Sequence, residues 1–503
     1  MSSQYPPVAI VGASALFPGS IHKGKFWKNI LEGHDLLSEV PETHWLLDDY
    51  YDPDPTTPDK TYAQRGGFLP VTEFSPMDFG VPPNIIPATD TAQLLALNVA
   101  QRVLEDAAGG DFSEMDRDKI SVVLGVASAT ELVGHMSGRL QQPVWERALR
   151  NIGLPEEQVQ AFSREVAASY VEWQESTFPG LLGNVVAGRI ANRLDLGGTN
   201  CVVDAACASS LAALEIGLNE LYLGQSDLVI GGGVDTLNDI LMFMCFSKTT
   251  ALSVSGDCRP FSDQADGTML GEGIGMVALK RLEDAERDGD KIYAVIQGLG
   301  SSSDGRAKSI YAPVSEGQAK ALRRCYERAG YGPETVELVE AHGTGTKAGD
   351  AAEFGGLKMI FEDETDTDKK QWCALGSVKS QVGHTKAAAG SAGLFKVAMA
   401  LHHRVIPPTI KIDKPNPLID VDNSPFYLNT TSRPWVRGSK HPRRASVSSF
   451  GFGGTNFHVA LEEYKGEGRQ WRIRSQPCEL FAWSADSASE LLANVTEVMN
   501  DID

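Results

Sequence analysis

The chain changes from a strand pattern to a helix pattern within residues 201–210, CVVDAACASS. The apolar run Cys201–Ala206 predicts a buried strand, and Ser209–Tyr222 predicts a helix with four leucines on one face. Between them lies Cys207, whose small neighbours permit the sharp turn that exposes a nucleophile. The unpaired N–H groups at the start of the helix favour a thiolate. Packing alone is the commoner role of a free cysteine, so this corner needs support from other residues.

Strand and helix patterns alternate on both sides of this corner, which predicts an α/β fold with a largely parallel sheet. The series runs twice and breaks near Arg287–Lys291, so we expect a duplicated fold. The halves are residues 1–290, with a helical insertion at about 131–180, and residues 291–464. The other predicted strands are Pro7–Val11, Ile120–Gly125, Leu228–Gly231, Gly275–Lys280, Lys291–Gly298, Val336–Ala341, Leu375–Val378, Arg444–Ser448 and Phe457–Leu461.

Residues 465–503 break this rhythm and are too poor in apolar side chains to form a core of their own. Within them Leu480–Trp483 predicts one strand and Ser487–Met499 one helix. We interpret this tail as the start of a linker toward a following domain.

Composition excludes several classes of function. The 503 residues carry a net charge of −21, which disfavours nucleic-acid binding because phosphate would be repelled. No apolar run is long enough to span a bilayer, and Met1–Pro7 has no secretory-signal pattern. The seven cysteines are odd in number and scattered, which predicts reduced thiols in a cytoplasmic protein.

Two histidines share the setting expected of catalytic residues. His342 and His384 each follow a predicted strand and lie in a loop that contains glycine. A cysteine with remote histidines is the expected nucleophile arrangement in an intracellular enzyme. Metal binding is the competing hypothesis, but no further ligands stand at metal spacing, so we expect no metal.

Three further features support a site at the ends of these strands. Lys379 and Glu353 could form a buried pair near the histidine loops, although both residue types usually lie on the surface. The glycine-rich segment Ser448–Asn456 could present backbone N–H groups to an oxyanion, or could be an ordinary tight turn. It lacks the spacing of a dinucleotide or phosphate loop.

Taken together, these segments resemble a β-ketoacyl synthase (ketosynthase), over about Val8 to Glu463. The resemblance implies the thiolase fold, in which duplicated βαβαβ-type halves form a five-layered αβαβα body, usually as a homodimer. It rests on DAACASS at 204–210, EAHGTGT at 340–346, VKS at 378–380 with Gly383-His384, and GFGGTN at 451–456.

The resemblance also implies residue roles. Cys207 would carry the acyl chain as a thioester, while His342 and His384 would promote decarboxylation of a malonyl thioester. Lys379 and Glu353 would order the histidines, and Phe452 would supply an oxyanion N–H and a gate. Thr344 and Thr346 would contact the phosphopantetheine arm of an acyl carrier protein. No cofactor would reside in this domain.

Some positions indicate the subfamily. Gln381 stands where modular polyketide synthases usually have Asn, and residues 178–190 and 246–248 resemble iterative type I multidomain synthases that make polyunsaturated fatty acids. Enediyne and glycolipid-type synthases are close relatives. The tail resembles a linker that leads to an acyltransferase domain.

Three other functions compete with this one. A non-decarboxylating thiolase-type enzyme should carry a second cysteine in the glycine-rich loop, where Thr455 and Asn456 stand. A silent partner protein that shapes a chain-length pocket usually lacks the active cysteine. A cysteine protease would need a residue that polarises its histidine and a peptide cleft, and nothing in the sequence specifies them.

Overall fold

The computed structural model describes residues 5–127, 130–306, 309–310, 312–362, 369–436, 440–466 and 481–502. The strands in these ranges are β1 Val8–Leu16, β2 Ser38–Glu39, β3 Arg65–Gly66, β4 Ile120–Val126, β5 Asn200–Val203, β6 Leu228–Asp235, β7 Gly273–Arg281, β8 Ala294–Ser303, β9 Leu338–Glu340, β10 Cys373–Gly376, β11 Val405–Ile406, β12 Phe426–Leu428, β13 Arg433–Pro434, β14 Arg444–Gly451 and β15 Thr455–Glu462.

The α-helices of the described residues include every helix predicted above. They are α1 Lys23–Glu32, α2 Leu47–Tyr50, α3 Thr91–Ala108, α4 Glu131–Leu140, α5 Gln142–Asn151, α6 Glu156–Ala168, α7 Thr177–Leu181, α8 Val185–Leu194, α9 Ser209–Tyr222, α10 Ile240–Lys248, α11 Leu282–Asp288, α12 Ser315–Ala329, α13 Lys347–Phe361, α14 Lys379–Val382, α15 Ala389–His403 and α16 Ala488–Ile502. Helices α4 to α7 occupy the segment that we expected to be a helical insertion.

Eleven strands form one sheet whose two halves have the same topology. The spatial order is β12-β10-β9-β14-β15-β8-β1-β7-β6-β4-β5. Outward from the central pair β1 and β8, the first half has the order β1-β7-β6-β4-β5 and the second half has the equivalent order β8-β15-β14-β9-β10, to which β12 adds one further strand at the edge. The senses also match, because β7 and β15 each pair antiparallel with both neighbours, whereas the pairs farther from the centre are parallel. The predicted duplication is confirmed.

The prediction of a largely parallel sheet is wrong, because the sheet is mixed. The last strand of each half is antiparallel to both neighbours: β7 lies between β1 and β6, and β15 lies between β8 and β14. The central pair, β1 with β8, is antiparallel as well. Apolar runs on buried strands carry no sign of strand direction, so the sequence pattern could not reveal this.

Several predicted strands begin or end at other residues, such as Leu375–Val378, which is Cys373–Gly376 in the structure. The strand expected at Cys201–Ala206 ends at Val203, because the backbone already turns at Ala206, where φ is +50°. Residues 481–483 are not a strand, and Leu480 lies outside the described residues. Residues 467–479 of the predicted linker also lie outside the described residues.

The two halves of the sheet and the helices around them form five layers, and three apolar cores lie between these layers. One core lies between the first half of the sheet and the outer helices α3 and α8. The central core holds α9 and α15 between the two halves of the sheet. The third lies between the second half and the outer helices α12 and α13. The predicted αβαβα arrangement is confirmed, and it places the N-terminal ends of two buried helices in the middle of the molecule.

A buried ion pair joins the central helix α15 to the sheet. Lys396 Nζ lies 2.6 Å from Glu340 Oε2, and both side chains are almost fully buried. The other oxygen of Glu340 accepts the N–H of Val378 at 2.6 Å, just before α14. Burying two charges is costly, so the pair is stable only while both partners and this N–H are present.

We expect Lys396→Met to lower the free energy of unfolding by about 3–5 kcal/mol, because it leaves the Glu340 carboxylate buried and unpaired. Chemical denaturation followed by circular dichroism measures this. The double variant Glu340→Gln/Lys396→Met should recover part of the loss, because it removes both charges. If both variants were as stable as the parent protein, the pair would have no such role.

Candidate active site

Two equivalent corners begin the central helices. A short 3₁₀ turn, Ala206–Ala208, precedes α9, and another, Lys386–Ala388, precedes α15. The first residue of each turn has a left-handed backbone, with φ of +50° at Ala206 and +45° at Lys386. Cys207 therefore occupies in the first half the position that Ala387 occupies in the second.

The corners approach the sheet so closely that only glycine fits against them. A Cβ at Gly451 would lie 2.2 Å from the Ala205 oxygen, and a Cβ at Gly233 would lie 2.6 Å from the Ala387 oxygen. The Ser391 N–H also donates to Ser210 Oγ at 3.0 Å, which joins the two central helices. The two helix starts are thus packed side by side.

Cys207 is buried at its corner and tied to the glycine-rich loop. Ser449 Oγ donates to its carbonyl oxygen at 2.6 Å, and the Phe452 N–H bonds to its thiol. Burial raises the pKa of Cys207 to about 11, although Lys379, the Phe452 N–H and Lys386 act to lower it. This burial opposes the thiolate that the start of the helix is expected to favour.

His342 follows β9 and contacts the same strand as Cys207. Its Nδ1 accepts the N–H of Phe450 at 3.4 Å, and Phe450 is the neighbour of Ser449 on β14. Because Nδ1 accepts, the proton of the neutral ring is on Nε2. The structure thus places this histidine and the predicted nucleophile beside consecutive residues of one strand.

The His384 ring packs against the His342 ring. Its backbone N–H donates to the Met269 oxygen at 2.6 Å, and its Nδ1 accepts the N–H of Lys386 at 3.1 Å. The two rings are 5.4 Å apart between centroids, at an angle of 84°. This ring too carries its proton on Nε2.

Both imidazoles are neutral. Burial, followed by the charge of Lys379, lowers the pKa of His342 and of His384 well below its usual range. The two rings are therefore hydrogen-bond donors through Nε2 at neutral pH, and poor bases.

Lys379 and Glu353 both form hydrogen bonds with the backbone of the His342 loop. Lys379 Nζ donates to the His342 oxygen at 2.5 Å. Glu353 accepts the N–H groups of His342 and Gly343, each at 2.7 Å. Burial lowers the pKa of Lys379 and raises that of Glu353 to about 7. Together they fix the backbone that carries the ring.

The three remaining predicted residues lie on the loops around these rings. Thr344 and Thr346 are partly exposed, with their hydroxyl oxygens 3.0 Å apart. The Phe452 side chain is 49% exposed and stacks on Phe246, with 6.2 Å between ring centroids. All eight predicted residues therefore belong to one region of the fold.

Sequence reasoning missed several residues that support the site. Asp350 accepts the N–H groups of Phe261 and Gly345, which holds the loop after His342. Its place in the first turn of α13 was a usable signal. Gln381 donates to the Asn29 oxygen at 3.0 Å, so its amide holds the end of α1, away from the His384 ring. No sequence signal marked that partner.

Two other kinds of site are absent from the described residues. Within those ranges, no group of three or more His, Cys, Asp or Glu side chains is arranged to hold a metal ion. No helix there is both long and apolar enough to cross a bilayer.

Family models match this chain along most of its length. "Beta-ketoacyl synthase, N-terminal domain" matches residues 6–285, and "Beta-ketoacyl synthase, C-terminal domain" matches residues 293–413. The chain belongs to the β-ketoacyl synthase family. "Ketoacyl-synthetase C-terminal extension" matches residues 415–502 of this ketosynthase.

The ketosynthase is similar to parts of much longer synthases. It is 42% identical over 490 residues to a polyunsaturated fatty acid synthase subunit of a Thraustochytrium species. The aligned region covers 96% of this chain and 17% of that synthase subunit. It is 35% identical to polyketide synthase PksL of Bacillus subtilis, over 98% of this chain and 10% of the relative. The chain thus spans less than a fifth of the length of these relatives.

Solved ketosynthases share the fold. The ketosynthase from module 6 of the Bacillus subtilis bacillaene synthase matches with a TM-score of 0.76 and 33% identity, over 99% of this chain and 77% of that chain. An oxazolomycin ketosynthase domain of Streptomyces albus matches with a TM-score of 0.78 and 32% identity, over 92% and 76%. The fold is the thiolase fold, and the chain is a condensing enzyme that extends acyl chains.

The raised pKa of Cys207 predicts how the rate of its alkylation changes with pH. Alkylation of Cys207 by iodoacetamide should accelerate about tenfold per pH unit between pH 7 and 9, because only the thiolate reacts and its fraction is still rising. Mass spectrometry of the Cys207 peptide measures the rate, and the exposed Cys245 in the same sample reports reagent activity. A rate that levels off below pH 8 would contradict the buried thiol.

Proposed function

We propose that Cys207 and the two histidines divide the condensation between them. The Cys207 sulfur attacks an acyl thioester, forms the acyl-Cys207 thioester and releases the carrier thiol. His342 and His384 then bind the thioester carbonyl of a malonyl group, whose carboxylate leaves as carbon dioxide with its electron pair kept as an enolate. The enolate carbon attacks the acyl carbonyl, and the Cys207 sulfur leaves.

One observation carries this proposal: two neutral imidazoles, each with Nδ1 occupied by a backbone N–H and Nε2–H left to donate. Decarboxylation generates an enolate oxygen without removing a proton from carbon, so it needs donors and no base. Rings with strongly lowered pKa values suit that task. They suit poorly the proton abstraction that a thiolase-type or protease mechanism requires.

Backbone groups complete the acylation step. The N–H groups of Cys207 and Phe452 stabilise the oxyanion that forms when the acyl carbonyl is attacked. The Phe452 N–H already bonds to the thiol, which supports its place in that pair. The partly exposed Phe452 ring, stacked on Phe246, gates the acyl side of the site.

The substrates arrive on an acyl carrier protein, with no cofactor resident in this domain. Thr344 and Thr346 present hydroxyl groups on the loop beside His342, where they contact the phosphopantetheine arm. Similarity to the Thraustochytrium polyunsaturated fatty acid synthase supports fatty acyl chains as substrates in an iterative multidomain synthase. A neighbouring acyltransferase domain after the 465–503 linker, and a cytoplasmic location in which the six described cysteines stay free, belong to the same proposal.

A homodimer completes the proposed assembly. Strand β5 is the edge of the eleven-stranded sheet, and three of its four residues are only partly buried. An edge strand offers unpaired N–H and C=O groups, which a second copy can pair. Since Cys207 follows β5 directly, dimer formation would stabilise the corner that holds the nucleophile.

Step-resolved assays test the residue roles. Cys207→Ala should abolish acylation and elongation, whereas Cys207→Gln should still release carbon dioxide from malonyl carrier protein. His342→Ala and His384→Ala should each slow that release by roughly 100-fold, because an oxyanion donor is lost, and leave acylation nearly unchanged. Intact-mass analysis measures acylation, and labelled carbon dioxide measures decarboxylation. Elongation by Cys207→Ala would refute the assignment.

A further inference from the structure

A buried lysine, Lys386, lies two residues after His384 in the chain. All three donor positions of Lys386 Nζ are taken: by Asp235 Oδ1 at 2.9 Å, by Asn238 Oδ1 at 2.7 Å and by the Gly271 oxygen at 2.8 Å. The side chains of Lys386 and Asp235 are 8% and 2% exposed. A lysine is rarely buried to this extent, and burying its charge is costly even when it is paired.

Asp235 holds the Lys386 corner at two points. One carboxylate oxygen binds the ammonium group, and the other accepts the N–H of Ala387 at 3.2 Å. Asp235 is the last residue of β6, so the corner is anchored to the end of a central strand. These bonds fix Lys386 in its left-handed backbone conformation, which residues other than glycine seldom adopt.

The anchored backbone is the one that binds the catalytic ring. The Lys386 N–H donates to His384 Nδ1, two residues earlier in the chain. In the first half of the fold, Ala206 has the same left-handed conformation, and its N–H donates to Asp204 Oδ1 at 3.0 Å. That corner binds a carboxylate, whereas the second corner must orient an imidazole and fix its tautomer.

We propose that the Asp235–Lys386 ion pair is a positioning device for His384. It holds the Lys386 N–H on Nδ1 and thereby keeps the Nε2–H directed at the developing enolate. Asp235 and Lys386 act through His384 and do not touch the substrate. This inference rests on the proposed decarboxylation by His384. The Lys386 charge also helps to lower the pKa of His384, which keeps the ring neutral.

A double-mutant cycle on decarboxylation tests the inference. Lys386→Met should slow carbon dioxide release about 10- to 100-fold, because the His384 ring loses its fixed orientation, and should change acylation of Cys207 far less. Combined with His384→Ala, the same substitution should cost almost nothing further, because the residue through which it acts is gone. A merely structural role would instead multiply the two losses.

Asp235→Asn provides a second variant if Lys386→Met does not fold, since it removes the charge and keeps the size of the side chain. Arg443→Met is the matched control: it breaks the pair of Arg443 with Glu463, 2.8 Å apart, which lies just before β14 at the opposite end of that strand from Phe450. That variant should lower stability without selective loss of decarboxylation.

The outcomes separate the two proposals. If His384→Ala loses decarboxylation but Lys386→Met and Asp235→Asn keep it, the positioning role is refuted and the proposed function stands. If His384→Ala keeps decarboxylation, the proposed function fails, and the positioning role fails with it. Selective loss in the ion-pair variants, without further loss in the double variant, supports both.

Discussion

The site depends on the close contact between the N-terminal ends of two buried helices. The starts of α9 and α15 come from corresponding places in the two halves, and each turns through one left-handed residue. Glycines of β14 and β6 leave room for the corners, where any side chain would collide with backbone oxygens. This packing puts Cys207 on one corner and His384 directly before the other. His342 joins them from β9, whose following loop is held by the buried Glu353.

Burial acts in opposite directions on the reacting groups. It raises the pKa of Cys207 and lowers the pKa of both histidines, so the resting site is uncharged at the thiol and at both rings. For the histidines this is an advantage, because a neutral ring can donate to an enolate across a wide pH range. For Cys207 it is a cost, which the charges of Lys379 and Lys386 and the Phe452 N–H reduce. In the proposed mechanism, the same burial therefore favours decarboxylation directly, whereas acylation depends on these compensating groups.

Much of this could be predicted from local sequence. The helix Ser209–Tyr222 has the predicted bounds, and its leucines at 211, 214, 218 and 221 are buried as the pattern indicated. Small residues marked the corner, and glycine loops after strands marked both histidines. Each of these features depends on a few neighbouring residues, so the local sequence was enough to predict it.

What could not be predicted depends on distant parts of the chain. The antiparallel strands β7 and β15 look like any buried strand, because direction is set by the path of the connecting chain. Asp235 and Lys386 lie in different halves of the fold, and neither stands in a pattern that points to the other. The protonation of Cys207 depends on how much water the folded cavity excludes, which the helix N-terminus alone did not reveal.

The protonation of the two histidine rings tests the account most directly. Nitrogen-15 ring resonances of His342 and His384, assigned with single-residue variants, report both the charge and the tautomer. The account predicts neutral rings with the proton on Nε2 throughout pH 6 to 8.5. If either ring titrated near pH 6.5, or carried its proton on Nδ1, the two donors on which the mechanism rests would not exist.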